Sequence, residues 1–500
     1  MTPGHTVGFA KRFSLFLSSS LLTSAVNFLM LPLATIVLGP EEYGTYALVG
    51  SITLVGQSLN ALGSTYLLAA KFRGSSEDER SALISTLLIT GLLLTVGFGV
   101  LVVLMWPLIE GLWPATAGIP TMGVYIALLT VLLSTPWSLA SDVVTLEGMA
   151  RKHAAITIAQ SAIWVVGMLL GLFVLHWGVL TLFVAAMMGG AVQCVGAMLI
   201  LRGYAKPRFS VRWLRESLSI GLLSSAGSML ERIQTTLESY VLSTRVGIGP
   251  LGIFSHARQY RNAAMMGVSS FSRSLWPTTL DEARDLEGGF ERTRRGWAII
   301  HLGLTILGLF FAVLGAQFIG LITHGKFSAA SDLVVIWILI LLVQASGRSA
   351  YGSVYAFNEG RFVAKIAIAS MCLGIGALFI LVPVLGMVGA LLAVYLQHLA
   401  YRLGIQFRAR RLRGIPFDDG YAIFGSGLVL AGEVISQGTR LPLELKIGLF
   451  VGLALATLLG FRKPTRALVN YVGQVMHGAL GATAASREPS ILGAEDPGDP

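Results

Sequence analysis

Charge is scarce in this 500-residue chain: 12% of residues are Asp, Glu, Lys or Arg, against 54% hydrophobic, and mean hydropathy is +0.73. That balance excludes an ordinary soluble globular protein and also a disordered one. Acidic residues are the scarcer sign, 26 against 36 basic, which leaves a net charge of +10. In a soluble chain such an excess points to nucleic acid; in a chain this apolar it marks cytoplasmic loops, and no nucleic-acid partner is expected. Cys194 and Cys372 are the only cysteines and both lie in apolar runs, so neither a disulfide framework nor a thiolate metal site is expected. The sequence has no phosphate-binding loop, no HExxH and no nucleophile–base arrangement. An enzyme, a metal site, a cofactor and a nucleotide-driven step are therefore not expected. The first apolar run continues past residue 30 without a small-residue cleavage pattern, which argues against a cleavable signal peptide.

What the chain does have is a succession of apolar runs separated by short charged loops. At 1.5 Å rise per residue, about 20 apolar residues cross a bilayer. The runs give fourteen spans, at 13–37, 43–70, 82–106, 119–146, 153–176, 178–201, 217–243, 252–277, 297–323, 332–357, 363–385, 387–407, 421–436 and 443–461. With the N-terminus inside, the inner segments hold 27 Lys and Arg, Arg402 among them, and the outer segments hold 4. This split follows the positive-inside rule and places both termini in the cytoplasm. The expected fold is an all-α polytopic membrane protein.

The chain also repeats itself at an offset of 210–212. Gly39-Pro40 recurs as Gly249-Pro250, Glu147-Gly148 as Glu359-Gly360, and Leu201-Arg202-Gly203 as Leu412-Arg413-Gly414. One nearly constant register across several such matches indicates duplication. Six spans per repeat is an even number, so both halves enter from the same side. The expected arrangement is two six-helix lobes about a pseudo-two-fold axis along the membrane normal, with a site between them. The domain reading is an N-terminal lobe at 1–210, a C-terminal lobe at 211–415, two additional helices at 416–465, and a cytoplasmic tail at 466–500 whose Pro-containing end is read as disordered.

The span at 217–243 departs from the apolar pattern. Its polar and small residues, including Ser217, Gly221, Ser224, Ser228, Glu231, Arg232, Thr235 and Glu238, fall at steps of three and four. They share one helical face, opposite Leu218, Leu222, Leu230, Ile233, Leu237 and Val241. An ionisable residue inside a span faces protein or a water-filled cavity rather than lipid. Four further arginines lie within spans: Arg258, Arg261, Arg273 and Arg348. All five belong to the second half.

Several stretches carry a family resemblance: LGPEEYGTYAL after the first span, IGPLGIFSHARQYRNAAMMGVSSFSRSLWPTTLDEAR through the eighth, EGMARKHAAITIAQ entering the fifth and NEGRFVAKIAIAS entering the eleventh. With these the chain resembles, over about residues 10–415, the oligosaccharide flippases of the polysaccharide transport family, in the multidrug/oligosaccharidyl-lipid/polysaccharide exporter superfamily. The resemblance implies a MATE-like fold with a central cavity. It implies export of a lipid-diphosphate-linked glycan across a bacterial inner membrane, for exopolysaccharide, capsule or O-antigen (lipopolysaccharide) assembly. Membrane lipid, a polysaccharide polymerase and its co-polymerase are the partners it implies.

Arginine suits a diphosphate because its planar fork makes paired charge-assisted bonds and stays charged when desolvated. Arg232, Arg258, Arg261 and Arg348 are the candidates to hold the anionic headgroup. The bland reading of Arg232 is that Glu231, Glu238 or a carbonyl satisfies it. Arg273, beside Trp276-Pro277, reads as snorkelling to the interface. Glu231 and Glu238 are candidates for ion coupling or for pairing with those arginines. Ser20, Ser24, Asn27 and Asn60, with Gln57 and Ser64, are candidate glycan contacts or ordinary interhelical hydrogen bonds. His256 and Asp142 read as structural and solvated. Three alternatives stand beside the flippase: a multidrug exporter of the same fold, a peptidoglycan-precursor flippase, and a membrane-embedded glycosyltransferase or polymerase. The first would line its cavity with carboxylates; the last would need a large outer loop, and the outer loops here are short.

Overall fold

A computed structural model describes residues 26, 28–30, 32–60, 67–68, 71–72, 74–116, 118–204, 208–284, 290–357, 359–413, 420–438 and 441–462. These residues are helical almost throughout and contain no strand. After a helical stretch at residues 32–37, we number the helices α1 (Pro40–Asn60), α2 (Glu77–Leu112), α3 (Thr121–Leu146), α4 (Ala150–Leu169), α5 (Leu180–Leu201) and α6 (Val211–Arg245). They continue as α7 (Ile248–Arg284), α8 (Glu291–Ile322), α9 (Ala330–Ala356), α10 (Gly360–Arg413), α11 (Gly420–Gly438) and α12 (Leu443–Gly460).

Among the described residues, seven helices are long and apolar enough to cross a membrane. Their outer faces are apolar: Leu93, Val100, Leu104 and Leu108 of α2 are exposed, Leu104 by 73%. A surface of this kind is unstable in water and stable in hydrocarbon. The chain is a multi-pass membrane protein.

Local chemistry sets the helix ends. Ser76 caps α2, its hydroxyl accepting from the Glu79 amide at 3.3 Å while the Glu79 carboxylate accepts from the Ser76 amide at 3.2 Å. This reciprocal capping box satisfies two donors that the first turn leaves open. The 54 residues of α10 are two antiparallel helices joined at Gly386, whose φ of 58° breaks the helix just after Pro383. Gly374 packs against Gln397 and Gly404 against Ile366, so the two arms run side by side. The break falls where the eleventh and twelfth spans were expected to part. A matching hairpin in the first half is formed by α4 and α5, with Gly167 against Ala185 and Gly196 against Ile156. The two hairpins begin at Ala150 and Gly360, an offset of 210, as the sequence repeat requires.

The halves meet where α1 crosses α7. A β-carbon on Gly44 would lie 2.0 Å from the Ile248 carbonyl oxygen, and one on Gly252 would lie 1.9 Å from the Pro40 carbonyl oxygen. Each helix therefore offers a glycine, four residues in, to the first carbonyl of the other. Only residues without a side chain permit that approach. Aromatics fill the space around it: Tyr43, His256, Tyr260, Phe254 and Phe327 are all buried. The ring of His256 lies 4.6 Å from that of Phe327, and its Nε2 is 3.2 Å from the Tyr260 hydroxyl. Lys326 closes the same end, donating to the carbonyls of Ile36 at 2.6 Å and Val37 at 3.1 Å.

Candidate functional site

Four helices of the second half leave a cavity of about 770 Å³ between them. Helix α6 contributes Glu231, Gln234, Thr235 and Glu238; α7 contributes Arg258, Arg261, Met265, Ser272 and Trp276; α9 contributes Trp337, Gln344 and Tyr351. The two arms of α10 add Ser370, Gln397, His398, Tyr401 and Arg402. The spacing explains the geometry. The α6 residues recur at steps of three and four, and those of α7 at 258, 261, 265, 272 and 276, so each set forms one stripe.

Glu238 and Arg258 form an ion pair across the α6–α7 interface. The guanidinium of Arg258 also lies 4.9 Å from the centre of the Phe254 ring and 5.7 Å from that of Trp337. Arg261 lies 5.1 Å from the same Trp337 ring. A cation over an aromatic face is stabilised by the ring quadrupole, by about 0.5–2 kcal/mol. Trp337 thus holds two like charges side by side. On the other side of the pair, the Gln234 amide donates to Glu238 at 3.2 Å and also to the Gln397 side-chain oxygen. A chain of polar contacts therefore runs from α10 through α6 to α7. Three arginines and two glutamates line this cavity, leaving a formal excess of one positive charge.

The expected residues distribute unevenly. Arg258, Arg261, Glu231 and Glu238 come together in the cavity. Arg232 is not among its lining residues. It donates to the Leu54 carbonyl and to the Gln57 side-chain oxygen, each at 3.3 Å. Beside it, the Thr236 hydroxyl donates to the Ser51 carbonyl at 2.8 Å. Arg232 therefore ties α6 to α1, and Gln57 accepts from it. Arg348 lies on α9 between the cavity residues Gln344 and Tyr351, and Asn60 is the last residue of α1; their side chains, like that of Arg273, are outside the described set. Ser20, Ser24, Asn27 and Ser64 lie outside the described residues altogether.

Three expectations can be set against the geometry. Among the described residues the cavity is walled by the second half, where a site between the halves was expected. Arg258 is paired with Glu238, one of the two readings open to that glutamate. Arg402, counted with an inner loop, is 8% exposed and lines the cavity within α10. The span read at 387–407 already contained Arg402, so it belonged with the arginines inside spans. Gln234, Gln397 and His398 were also missed; Gln234 sits one turn before Glu238 on the stripe already singled out.

Residues 9–281 match the model of a family described as polysaccharide biosynthesis protein, more than half of the chain. The chain belongs to that family. No curated protein sequence matches it. Among solved structures, it resembles the Lipid II flippase MurJ in an inward closed conformation, at 13% identity and a TM-score of 0.69, covering 90% of this chain and 99% of that one. It resembles an inward-facing multidrug resistance MATE family transporter of the MOP superfamily at 15% identity and 0.62, covering 78% and 94%. A MOP superfamily transporter from Pyrococcus furiosus, whose title speaks of a binding pocket of reverse polarity, matches at 15% and 0.53, covering 82% and 95%. The fold is the one these solved structures share. The family member described here is thus a polysaccharide biosynthesis membrane protein with a transporter fold.

Proposed function

We propose that this chain is a flippase that carries a polyprenyl-diphosphate-linked oligosaccharide from the cytoplasmic to the outer leaflet of a bacterial inner membrane. The observation that carries this reading is the pair Arg258 and Arg261, held against Trp337 in a cavity within the membrane-spanning body. Two forked cations a helical turn apart suit a diphosphate, which offers acceptor oxygens on two phosphorus atoms. Membership of a polysaccharide biosynthesis family supports a glycan on that diphosphate. The step is transport by alternating access of two lobes, with both termini cytoplasmic, rather than a chemical conversion. A polymerase and a co-polymerase would take the product.

Glu238 gives the site its chemistry. It already occupies Arg258, so an incoming diphosphate must displace it. A buried carboxylate stripped of its cation is costly unless it is neutralised. Glu238, with Glu231 nearby, is therefore our candidate for ion coupling. A multidrug exporter of organic cations fits less well, because arginines outnumber glutamates in the cavity. A peptidoglycan-precursor flippase shares the diphosphate and differs only in the glycan.

Binding to the purified protein in nanodiscs tests the reading. Polyprenyl diphosphate should bind more tightly than polyprenyl monophosphate, and a lipophilic cation should not compete. Competition by the cation, with no preference for diphosphate, would reject the flippase in favour of the exporter.

A further inference from the structure

The cavity has two chemically different ends. Arg261 and Trp276 are fifteen residues apart on α7, or ~22 Å at 1.5 Å per residue. Arg258, Arg261 and Trp337 mark one end. At the other, Trp276, Tyr351 and Tyr401 come from three different helix arms. Their rings form a ladder, with centroids 6.2 Å apart for Trp276 and Tyr351 and 6.5 Å for Tyr351 and Tyr401. All three are half-buried, whereas Trp337 at the arginine end is fully packed. Each of the three lines the cavity and keeps part of its surface uncovered. Planar polar groups of the same cavity adjoin Tyr401 along α10: His398, one turn before it, whose Nε2 lies 2.7 Å from the Gln344 amide nitrogen, and Arg402, next to it in sequence.

We propose that this aromatic ladder is a glycan subsite, separate from the arginine end that takes the diphosphate. The proposal rests on the flippase reading and names the part of the cavity that distinguishes a glycosylated lipid from a bare one. A sugar ring has an apolar face of C–H groups and a rim of hydroxyls. The apolar face needs a flat aromatic partner, and the rim needs planar side chains that both donate and accept. Aromatic rings lining a cavity together with an amide, an imidazole and a guanidinium meet both needs. The sugars attached to a diphosphate at Arg258 and Arg261 would extend along α7 toward Tyr351 and Tyr401. Among the described residues, the second half then supplies both the charge recognition and the glycan recognition.

The test compares two ligands on purified protein in nanodiscs: bare polyprenyl diphosphate, and the polyprenyl-diphosphate-linked glycan extracted from the cells that make this protein. Wild type should prefer the glycosylated ligand by about tenfold, equivalent to ~1.4 kcal/mol. Tyr351→Ala and Tyr401→Ala should each remove most of that preference while holding affinity for the bare ligand within about twofold. Tyr351→Phe, which keeps the ring, should retain it. Wild type alone gives a second readout: free glycan cleaved from its lipid should compete with the glycosylated ligand and leave binding of the bare one unchanged. An unchanged preference in the alanine variants, or an equal fall for both ligands, would overturn the subsite. So would free glycan that fails to compete. If wild type binds neither ligand, the flippase reading fails with it; if it binds both equally, only the subsite fails.

Discussion

At the scale of single residues, Arg258 is shared between an internal partner and a proposed external one. Replacing it by alanine strands Glu238 in a buried position and removes the fork. Export should fall by roughly 10–100-fold, the equivalent of losing a charge-assisted bond of ~1.5–3 kcal/mol. Arg258→Lys should recover part of that, since lysine keeps the charge without the paired geometry. Export assays normalised to membrane protein level check both; identical loss in the two variants, in proportion to falling protein level, would assign Arg258 a folding role. Glu238→Gln should have the opposite sign for binding. Glutamine preserves the contact with Gln234 but removes the negative charge competing for Arg258. Polyprenyl diphosphate should bind the variant more tightly, read by titration in nanodiscs, while gradient-driven export is lost. Weaker binding would contradict the exchange. The face that carries Glu231 and Glu238 was legible in the sequence, because helical periodicity assigns faces within one helix. Their partners were not legible, because periodicity says nothing about which level of a neighbouring helix stands opposite.

At the scale of elements, the α1–α7 crossing is the contact that most constrains how the halves sit. Gly252→Ala places a methyl group against a backbone oxygen that cannot rotate away. Overpacking of this kind costs about 1–3 kcal/mol, so the thermal midpoint of the purified protein should drop, while Gly267→Ala, where nothing lies within 4 Å of the added carbon, should leave it unchanged. Equal midpoints for the two variants would remove the crossing from the account. The all-helical class, the repeat and the break at Gly386 were legible, since apolar length and Gly/Pro position are local properties. The repeated Gly-Pro pairs marked helix starts. They gave no sign that the two starts cross each other, because that depends on how the lobes dock. Arg402 was misplaced for a different reason: it lay inside the span read at 387–407 yet was grouped with the basic residues that follow that span.

At the scale of the whole molecule, orientation and transport are the two claims that remain to be measured. The 27-to-4 basic split predicts that cysteines placed at Gly118 and Ser328 react with an impermeant reagent in intact cells. Cysteines at Gly203 and Ser210 should react only after lysis; labelling of Ser210→Cys from outside would invert the topology. Transport follows from that orientation, since the cavity must load from the cytoplasmic leaflet. The most direct measurement is leaflet transfer in proteoliposomes. Purified protein is reconstituted with a polyprenyl-diphosphate-linked glycan confined to one leaflet, and the fraction reaching the other is followed with an impermeant glycan-modifying enzyme. Wild type should equilibrate the glycolipid across the bilayer faster than protein-free vesicles and faster than Arg258→Ala vesicles of equal protein content. Transfer by wild type at the protein-free rate would contradict the account.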